Sequence, residues 1–119
     1  MDIVEVMKAL GDETRLRMMY LLHKETLCVC DIEAVLQINQ SNASRHLTKL
    51  KTAKLIRGEK QAQWVYYRVN EAIVESCAFL TDLLTKDLEN WPQSKKDLAR
   101  LQTYRECGGD CEHVVMIGR

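Results

Sequence analysis

The sequence lacks any apolar run that approaches the roughly 20 residues of a membrane-spanning helix. It also lacks internal repeats and low-complexity stretches, and its first five residues are acidic and amphipathic, unlike a secretory leader. The composition, 46% hydrophobic and 29% charged, is that of a folded globular protein rather than a disordered chain. We therefore expect a cytoplasmic protein with one hydrophobic core and no membrane partner.

The residue patterns of an enzyme are absent as well. No Ser/His/Asp arrangement and no phosphate-binding loop appears in the sequence. The cysteines at 28 and 30 form C-x-C rather than the C-x-x-C of a thiol reductase, and no βαβ pattern surrounds them. The sequence therefore predicts that the chain is not an enzyme.

The sequence also has no net charge, because 17 basic residues balance 17 acidic residues. The charge is unevenly distributed, however. Between residues 40 and 68 there are seven basic side chains and one acidic side chain, Glu59, so this segment has a charge of +6. The basic residues are Arg45, Lys49, Lys51, Lys54, Arg57, Lys60 and Arg68. A local patch rather than the average charge attracts phosphates, although an ordinary solvated face would have the same composition.

Apolar residues recur at helical spacing through the first half of the chain. Four helices are predicted, near residues 3–10, 13–24, 32–37 and 42–53. Asp31 is a suitable N-cap for the third helix and Ser41 for the fourth. Because only a few residues separate the third and fourth helices, this pair has the dimensions of a helix-turn-helix.

After the fourth predicted helix, the spacing of apolar residues changes from that of a helix to that of β-strands. Residues 55–60 and 64–69 are rich in β-forming side chains and are joined by the polar segment 61–63. This pattern predicts a hairpin, and a hairpin directly after a helix-turn-helix is a wing. The predicted fold class is therefore mainly α with a small β-hairpin, a winged helix-turn-helix.

A fifth helix, capped by Asn70, carries a regular apolar seam. Its residues Ile73, Cys77, Leu80 and Leu84 repeat at alternating spacings of four and three, as in a coiled coil. The seam favours a dimer interface, although the same residues could pack within one chain.

After Pro92, a capping-box pattern at residues 94–97 predicts a short last helix. We divide the chain into a DNA-binding and dimerisation domain, 1–90, and a C-terminal extension with a Cys-rich tail, 91–119. The tail from residue 107, which contains two adjacent glycines, is expected to be mobile.

The fourth helix has one apolar and one polar face. Ala43, Leu47 and Leu50 lie within about 60° of each other around the axis and must face the core. The opposite face and the hairpin carry side chains suited to bases and phosphates. The candidate DNA contacts are Ser41, Asn42, Ser44, Arg45, Thr48, Lys49, Arg57 and Lys60. His46 lies nearer the apolar side and is predicted to be structural, or a phosphate contact, rather than a base reader.

Four segments of this chain resemble the ArsR/SmtB family of metal-responsive repressors. They are LGDETRLR at 10–17, LCVCDI at 27–32, QSNASRHL at 40–47 and the hairpin end YRV at 67–69. The resemblance covers about residues 2–85 in the family's order. It implies a homodimer through the first and fifth helices, binding to an inverted repeat in double-stranded operator DNA, and release of that DNA on ligand binding.

Five cysteines are many for a reducing compartment, where disulfides are rare. Reduced thiols that bind a metal or sense redox state are the expected use, although each cysteine could also be a small core residue. Cys28 and Cys30 flank Val29 just before the third helix, where a helix N-terminus would lower the pKa of a thiol. Both can bind one ion only if the backbone bends here, because two thiols at this spacing diverge on a regular helix or strand.

The C-x-C segment resembles the arsenite- and antimonite-sensing box of the family's arsenic repressors, and the cadmium/lead sensors place a similar pair here. Two departures matter. Glu33 occupies the position of a frequent third cysteine, and residues 1–27 hold none of the N-terminal cysteines of the cadmium/lead sensors.

The tail contains Cys107, Cys111 and His113, which can converge on one ion in a Gly-rich turn. It could supply a third thiolate to Cys28 and Cys30, form a separate soft-metal site, or be an unrelated or redox-active tail. Cys77, on the seam, is expected to be buried packing.

The leading hypothesis is a repressor of a metal(loid)-resistance operon released by arsenite or antimonite bound to Cys28 and Cys30, with Cys107 and Cys111 as further candidate ligands. The alternatives are a cadmium, lead or zinc sensor that uses the tail, and a thiol redox switch.

Overall fold

The computed structural model describes residues 1–113 and 117. Its helices are α1 (Ile3–Leu10), α2 (Glu13–Lys24), α3 (Val29–Leu36), α4 (Gln40–Thr52), α5 (Glu71–Ser76), α6 (Ala78–Asp82) and α7 (Pro92–Glu106), and a π-helical turn at Leu83–Asp87 follows α6. Its strands β1 (Leu27–Cys28), β2 (Ile56–Gln61) and β3 (Trp64–Val69) form an antiparallel sheet in the order β1–β3–β2. No helix in this described part is long and apolar enough to cross a membrane.

The helix-turn-helix consists of α3 and α4, and the hairpin β2–β3 follows it as the predicted wing. Both helices begin earlier than expected. The α4 cap is Asn39 rather than Ser41, because the Asn39 side chain accepts a hydrogen bond from the Asn42 amide at 2.8 Å. The cap of α3 is Cys28, and Asp31 lies inside the first turn, where its carboxylate reaches back to the Cys28 amide at 3.1 Å. The inward face of α4 is buried as predicted, at Ala43, Leu47 and Leu50.

The hairpin is joined to the helical core by β1. Leu27 pairs with Tyr67 and Cys28 with Tyr66, so the segment directly before α3 is the third strand of the wing sheet. This pairing sets the direction from which the chain enters α3. A movement of Cys28 would therefore shift both the wing and the helix-turn-helix.

The predicted fifth helix is interrupted, and its seam does not lie on the surface. The backbone at Cys77 is extended (φ −131°, ψ 106°), which separates α5 from α6. Leu80 and Leu84 are fully buried within the single chain. The dimer-seam prediction was wrong for these two leucines, which pack in the core of their own chain after the break at Cys77. Phe79 is the large apolar side chain of α6 that remains exposed, at 43%.

The last helix is longer than predicted and is part of the core. It begins at Pro92 and runs for 15 residues, so Ser94 is buried within it rather than capping it. Asp97 is also buried, and both of its carboxylate oxygens accept hydrogen bonds from Arg17 of α2 at 2.9 Å. Leu101 and Tyr104 complete the core from this side. The α7 helix therefore closes over α2 and α3, while the division of the chain at residue 90 remains a prediction.

Candidate functional site

The polar face of α4 is open to solvent. Ser41, Asn42, Arg45, Thr48 and Lys49 are exposed and Ser44 is half-buried, as the helical periodicity predicted. Two hydroxyls on this face are partly used within the helix. The Ser44 hydroxyl accepts a hydrogen bond from Gln40 Nε2 at 2.9 Å, and Thr48 donates to the Ser44 carbonyl at 2.8 Å. The cationic groups of Arg45 and Lys49 are thus the strongest features that this face presents to a ligand.

His46 anchors α4 to the start of α2. Its ring is buried, with Nδ1 3.0 Å from Arg15 Nη1 and Nε2 3.5 Å from Arg45 Nη2. Burial, reinforced by the two guanidinium groups, lowers the pKa of His46, although Asp12 3.9 Å away acts in the opposite direction. The imidazole is therefore a neutral structural contact, and its position agrees with the structural interpretation made from the sequence.

The wing presents two further cations. Arg57 and Lys60 are exposed on β2, whereas Arg68 on β3 pairs with Glu59 at 3.1 Å. This ion pair neutralises Glu59, the single acidic residue of the basic segment. The positive charge that remains is carried by α4, its C-terminal turn and the outer strand of the wing.

Cys28 and Cys111 meet at the N-terminus of α3. They form a disulfide with a Cα–Cα distance of 6.3 Å across a sequence separation of 83 residues, and both are buried. Reduced thiols were expected, and this pair departs from that expectation. Packing of α7 against α3 brings the tail to this position, which no local pattern in the sequence could indicate.

The tail forms a hydrogen-bonded turn as far as residue 113, while its mobility stays a prediction. Its turn is closed by Asp110, whose carboxylate accepts hydrogen bonds from the amides of Glu112 at 2.8 Å and His113 at 2.7 Å. Gly109 is buried against Tyr104, where a larger side chain would collide with the ring. Residues 114–116, 118 and 119 lie outside the described residues.

Asp31 is the centre of a buried polar cluster that the sequence reasoning missed, having assigned this residue only as a cap. Its carboxylate accepts hydrogen bonds from the Cys28 amide at 3.1 Å, the Tyr104 hydroxyl at 3.0 Å and Arg105 Nη2 at 3.2 Å. Arg105 also binds Glu25 at 2.7 Å and the Gly109 carbonyl at 3.0 Å. Burial and the neighbouring Asp31 carboxylate raise the pKa of the Tyr104 hydroxyl far above its ordinary value. The cluster connects the first turn of α3 to the end of α7.

Three potential ligand atoms lie close together here. The Cys28 and Cys111 sulfurs and an Asp31 carboxylate oxygen all lie within 4.8 Å of one another, and within residues 1–113 and 117 this is the one such group of three. Cys30 is half-buried in the first turn of α3, Cys107 is exposed at the end of α7, and Cys77 is half-buried. His113 is exposed and 3.1 Å from Asp110, so it does not join the group.

The environment of Cys30 differs from the expectation. Burial, and after it the carboxylates of Glu33 and Asp31, raise the pKa of the Cys30 thiol. This direction is opposite to the lowering of a thiol pKa that a helix N-terminus favours. A thiolate at Cys30 is therefore less favoured than the sequence predicted.

Comparison with known proteins gives one consistent relationship. A family model described as bacterial regulatory protein, arsR family, matches residues 12–57. The arsenical resistance operon repressor of Escherichia coli strain K12 is 34% identical over 115 residues, which cover 93% of each protein.

Two further relatives match over shorter stretches. The arsenic resistance transcriptional regulator ArsR1 of Pseudomonas putida is 41% identical over 69 residues, 57% of this chain and 54% of that protein. The cadmium resistance transcriptional regulatory protein CadC homolog of Staphylococcus aureus is 37% identical over 76 residues, 63% of each. The chain thus spans about half the length of the first of these and nearly two thirds of the second.

A solved structure shares the arrangement of helices and wing. The homodimeric winged helix-turn-helix DNA-binding domain of Mb0332 from Mycobacterium bovis aligns with a TM-score of 0.61 and 27% identity, covering 68% of this chain and 76% of that chain.

Proposed function

Because this chain belongs to the arsR family of bacterial regulatory proteins, we propose that it is a homodimeric repressor of a metal(loid)-resistance operon that leaves its operator when arsenite or antimonite binds its cysteines. The family consists of DNA-binding transcriptional regulators, not enzymes. We place the protein in the cytoplasm, where operator DNA and the inducer meet.

The DNA-binding part of the proposal uses α4 as the recognition helix. Its exposed face combines Arg45 and Asn42, side chains that read guanine and adenine in the major groove, with Lys49. Arg57 and Lys60 on the wing would contact flanking phosphates, which position a protein without reading sequence. Ser41, Ser44 and Thr48 would add contacts to bases or phosphates.

The dimer part is supported by an apolar face that one chain leaves uncovered. On α1 the exposed fractions are 50% for Ile3, 56% for Val4 and 51% for Met7, and Phe79 on α6 adds a further apolar side chain at 43%. Exposed apolar side chains clustered on one helix mark an interface. The Mycobacterium bovis domain is described as homodimeric. A two-fold dimer would place two recognition helices about 34 Å apart, one turn of DNA, and would fit an inverted repeat.

The observation that carries the inducer site is the meeting of Cys111 with Cys28 at the cap of α3. In the reduced protein the two thiols would condense with arsenous acid, forming two As–S bonds and releasing two water molecules. Cys30, two residues further, would supply the third thiolate and release a third water. Because Cys30 lies in the first turn of α3, its ligation would distort the helix-turn-helix. Cys107, four residues before Cys111, is the alternative third ligand.

The test is DNA release under reducing conditions. A labelled duplex selected by the wild-type protein from a random library is bound to the protein and titrated with arsenite, antimonite, cadmium, lead and zinc. Arsenite and antimonite are expected to release the DNA from wild-type protein and from the Cys77→Ser control, but not from Cys28→Ser. If none of the ions releases DNA, the inducer part of the proposal is wrong.

The disulfide favours a redox switch as a second candidate function. Peroxide would oxidise the Cys28 and Cys111 thiols to the disulfide and would itself be reduced to two waters. Release of DNA by peroxide, reversed by dithiothreitol and absent from Cys111→Ser, would identify this function.

Cadmium, lead or zinc would instead use the Cys28 and Cys111 sulfurs with Asp31. These ions are included in the titration because the Staphylococcus aureus relative is described as a cadmium resistance regulatory protein.

A further inference from the structure

A cationic cleft lies beside the recognition helix, at the junction of α1, α2 and α4. It has a volume of about 400 Å³. Its polar lining consists of Glu5, Lys8, Arg15, Thr48, Lys49 and Thr52. Lys8 and Arg15 belong to no predicted DNA contact, so the cleft extends the positive surface beyond the helix-turn-helix.

The cleft is continuous with the base-reading face of α4. At 100° per residue, Thr48, Lys49 and Thr52 all project within about 60° of Arg45 around the helix axis. The α4 wall of the cleft is therefore the same surface that would face the DNA. A ligand bound in the cleft would lie directly beside the bases that Arg45 reads.

Three cations and one acid line the cleft. Arg15 is fixed at its inner wall: Nε donates to the Ala9 carbonyl at 2.6 Å, and Nη1 lies 3.0 Å from His46 Nδ1. Lys8 and Lys49 are exposed, and neither forms a salt bridge with any residue that the structure describes. The cleft is thus lined by two ammonium groups and one guanidinium held by hydrogen bonds, a combination suited to an anion.

The cleft borders the apolar face proposed for the dimer. Around the axis of α1, Lys8 lies about 140° from Ile3 and about 100° from Met7, but about 40° from Val4, and Glu5 lies about 160° from Ile3. Lys8 is exposed at the edge of this face.

We propose that this cleft binds a backbone phosphate of the DNA beside the recognition helix, with Lys8 as an additional contact and Arg15 as a fixed positive charge. The inference rests on the proposed DNA-binding function. Phosphate contacts carry no sequence information. The cleft would therefore strengthen binding to any duplex and fix the angle of α4 in the groove through the Arg15–His46 contact.

The experiment measures DNA affinity as a function of salt for Lys8→Gln and for Lys96→Gln, a matched control at an exposed position on α7. The probes are the selected duplex and a scrambled duplex of equal length. Lys8→Gln is expected to weaken both by the same factor of about five to ten, and to reduce the slope of log affinity against log salt by about 0.9 per protomer. Glu5→Gln, which removes the acid from the cleft, is expected to tighten both.

An unchanged slope in Lys8→Gln, a change equal to that of Lys96→Gln, or unchanged affinity in Glu5→Gln would overturn the inference. A loss confined to the selected duplex would also overturn it, because Lys8 would then read bases. Arg45→Ala, measured in parallel, separates this inference from the proposed function. If Arg45→Ala loses affinity and Lys8→Gln does not, only the phosphate cleft is wrong; if Arg45→Ala retains affinity, the assignment of α4 as the reader is wrong.

Discussion

The recognition helix and the cysteine site are assembled in opposite ways. The outward face of α4 comes from a single run of 13 residues, Gln40–Thr52, and depends on helical periodicity alone. The cysteine site joins Cys28 and Asp31 at the start of α3 to Tyr104, Arg105 and Cys111 at the end of the chain. The first is a local surface and the second is a product of tertiary packing.

This difference predicts different responses to mutation. The cations of α4 are exposed, so their removal should change DNA affinity and leave folding nearly intact. Asp31 is buried and engaged by three donors, so its loss should destabilise the junction of α3 and α7.

The largest expected effect on stability is that of the disulfide. Because the Cys28–Cys111 bond closes a loop of 83 residues, reduction should lower the free energy of unfolding by about 4 kcal/mol. The measurement is urea unfolding with and without dithiothreitol. Cys111→Ser should show no dependence on the reductant, and equal stability of oxidised and reduced wild-type protein would contradict the prediction.

Asp31→Asn is expected to have the second largest effect on the free energy of unfolding. The substitution leaves the Arg105 guanidinium without its buried carboxylate partner and should cost about 2–3 kcal/mol in urea unfolding of the reduced protein. Glu25→Gln removes the other, more exposed partner of Arg105 and should cost less than about 1 kcal/mol. Equal losses in the two variants would show that Asp31 is no more important to the fold than a surface acid.

Arg45→Ala tests the other region. It should lower affinity for the selected duplex by about 1–3 kcal/mol per protomer, the cost of one bidentate base contact, while urea unfolding changes by less than about 0.5 kcal/mol. Lys96→Ala provides the control for a lost surface charge. A loss of stability comparable to that of Asp31→Asn would remove the contrast between the two regions.

The smallest effect is a pH dependence from His46, which connects the recognition helix to α2. Burial lowers the pKa of this imidazole in the folded state, so the unfolded state binds its proton more readily. The stability that the neutral ring contributes is complete above the ordinary histidine pKa of 6.5 and is lost as the pH falls below that value. His46→Gln should flatten the loss of stability between pH 7 and 5, whereas His113→Gln, at an exposed position, should retain it.

The sequence was sufficient to predict the winged helix-turn-helix and the outward face of α4, because both follow from periodicity over short segments. It also indicated that Cys28 and Cys30 lie at the start of α3. It left open, as one of three alternatives, whether the tail reaches Cys28, and it did not predict the Cys28–Cys111 bond or the role of Asp31, since both depend on how α7 packs. The seam prediction failed at Leu80 and Leu84 for a related reason: the helix is interrupted at Cys77, and both leucines are buried by packing within the chain.

An inducer bound at Cys28 and Cys111 is proposed to control DNA binding by α4. The most direct measurement is an arsenite titration of reduced, DNA-bound protein, followed by fluorescence anisotropy, for Cys111→Ser and Cys107→Ser. The proposal predicts that Cys111→Ser requires at least about tenfold more arsenite for half-release, a loss of about 1.4 kcal/mol, and that Cys107→Ser matches the wild type. Wild-type behaviour of Cys111→Ser, with the loss found in Cys107→Ser instead, would contradict it.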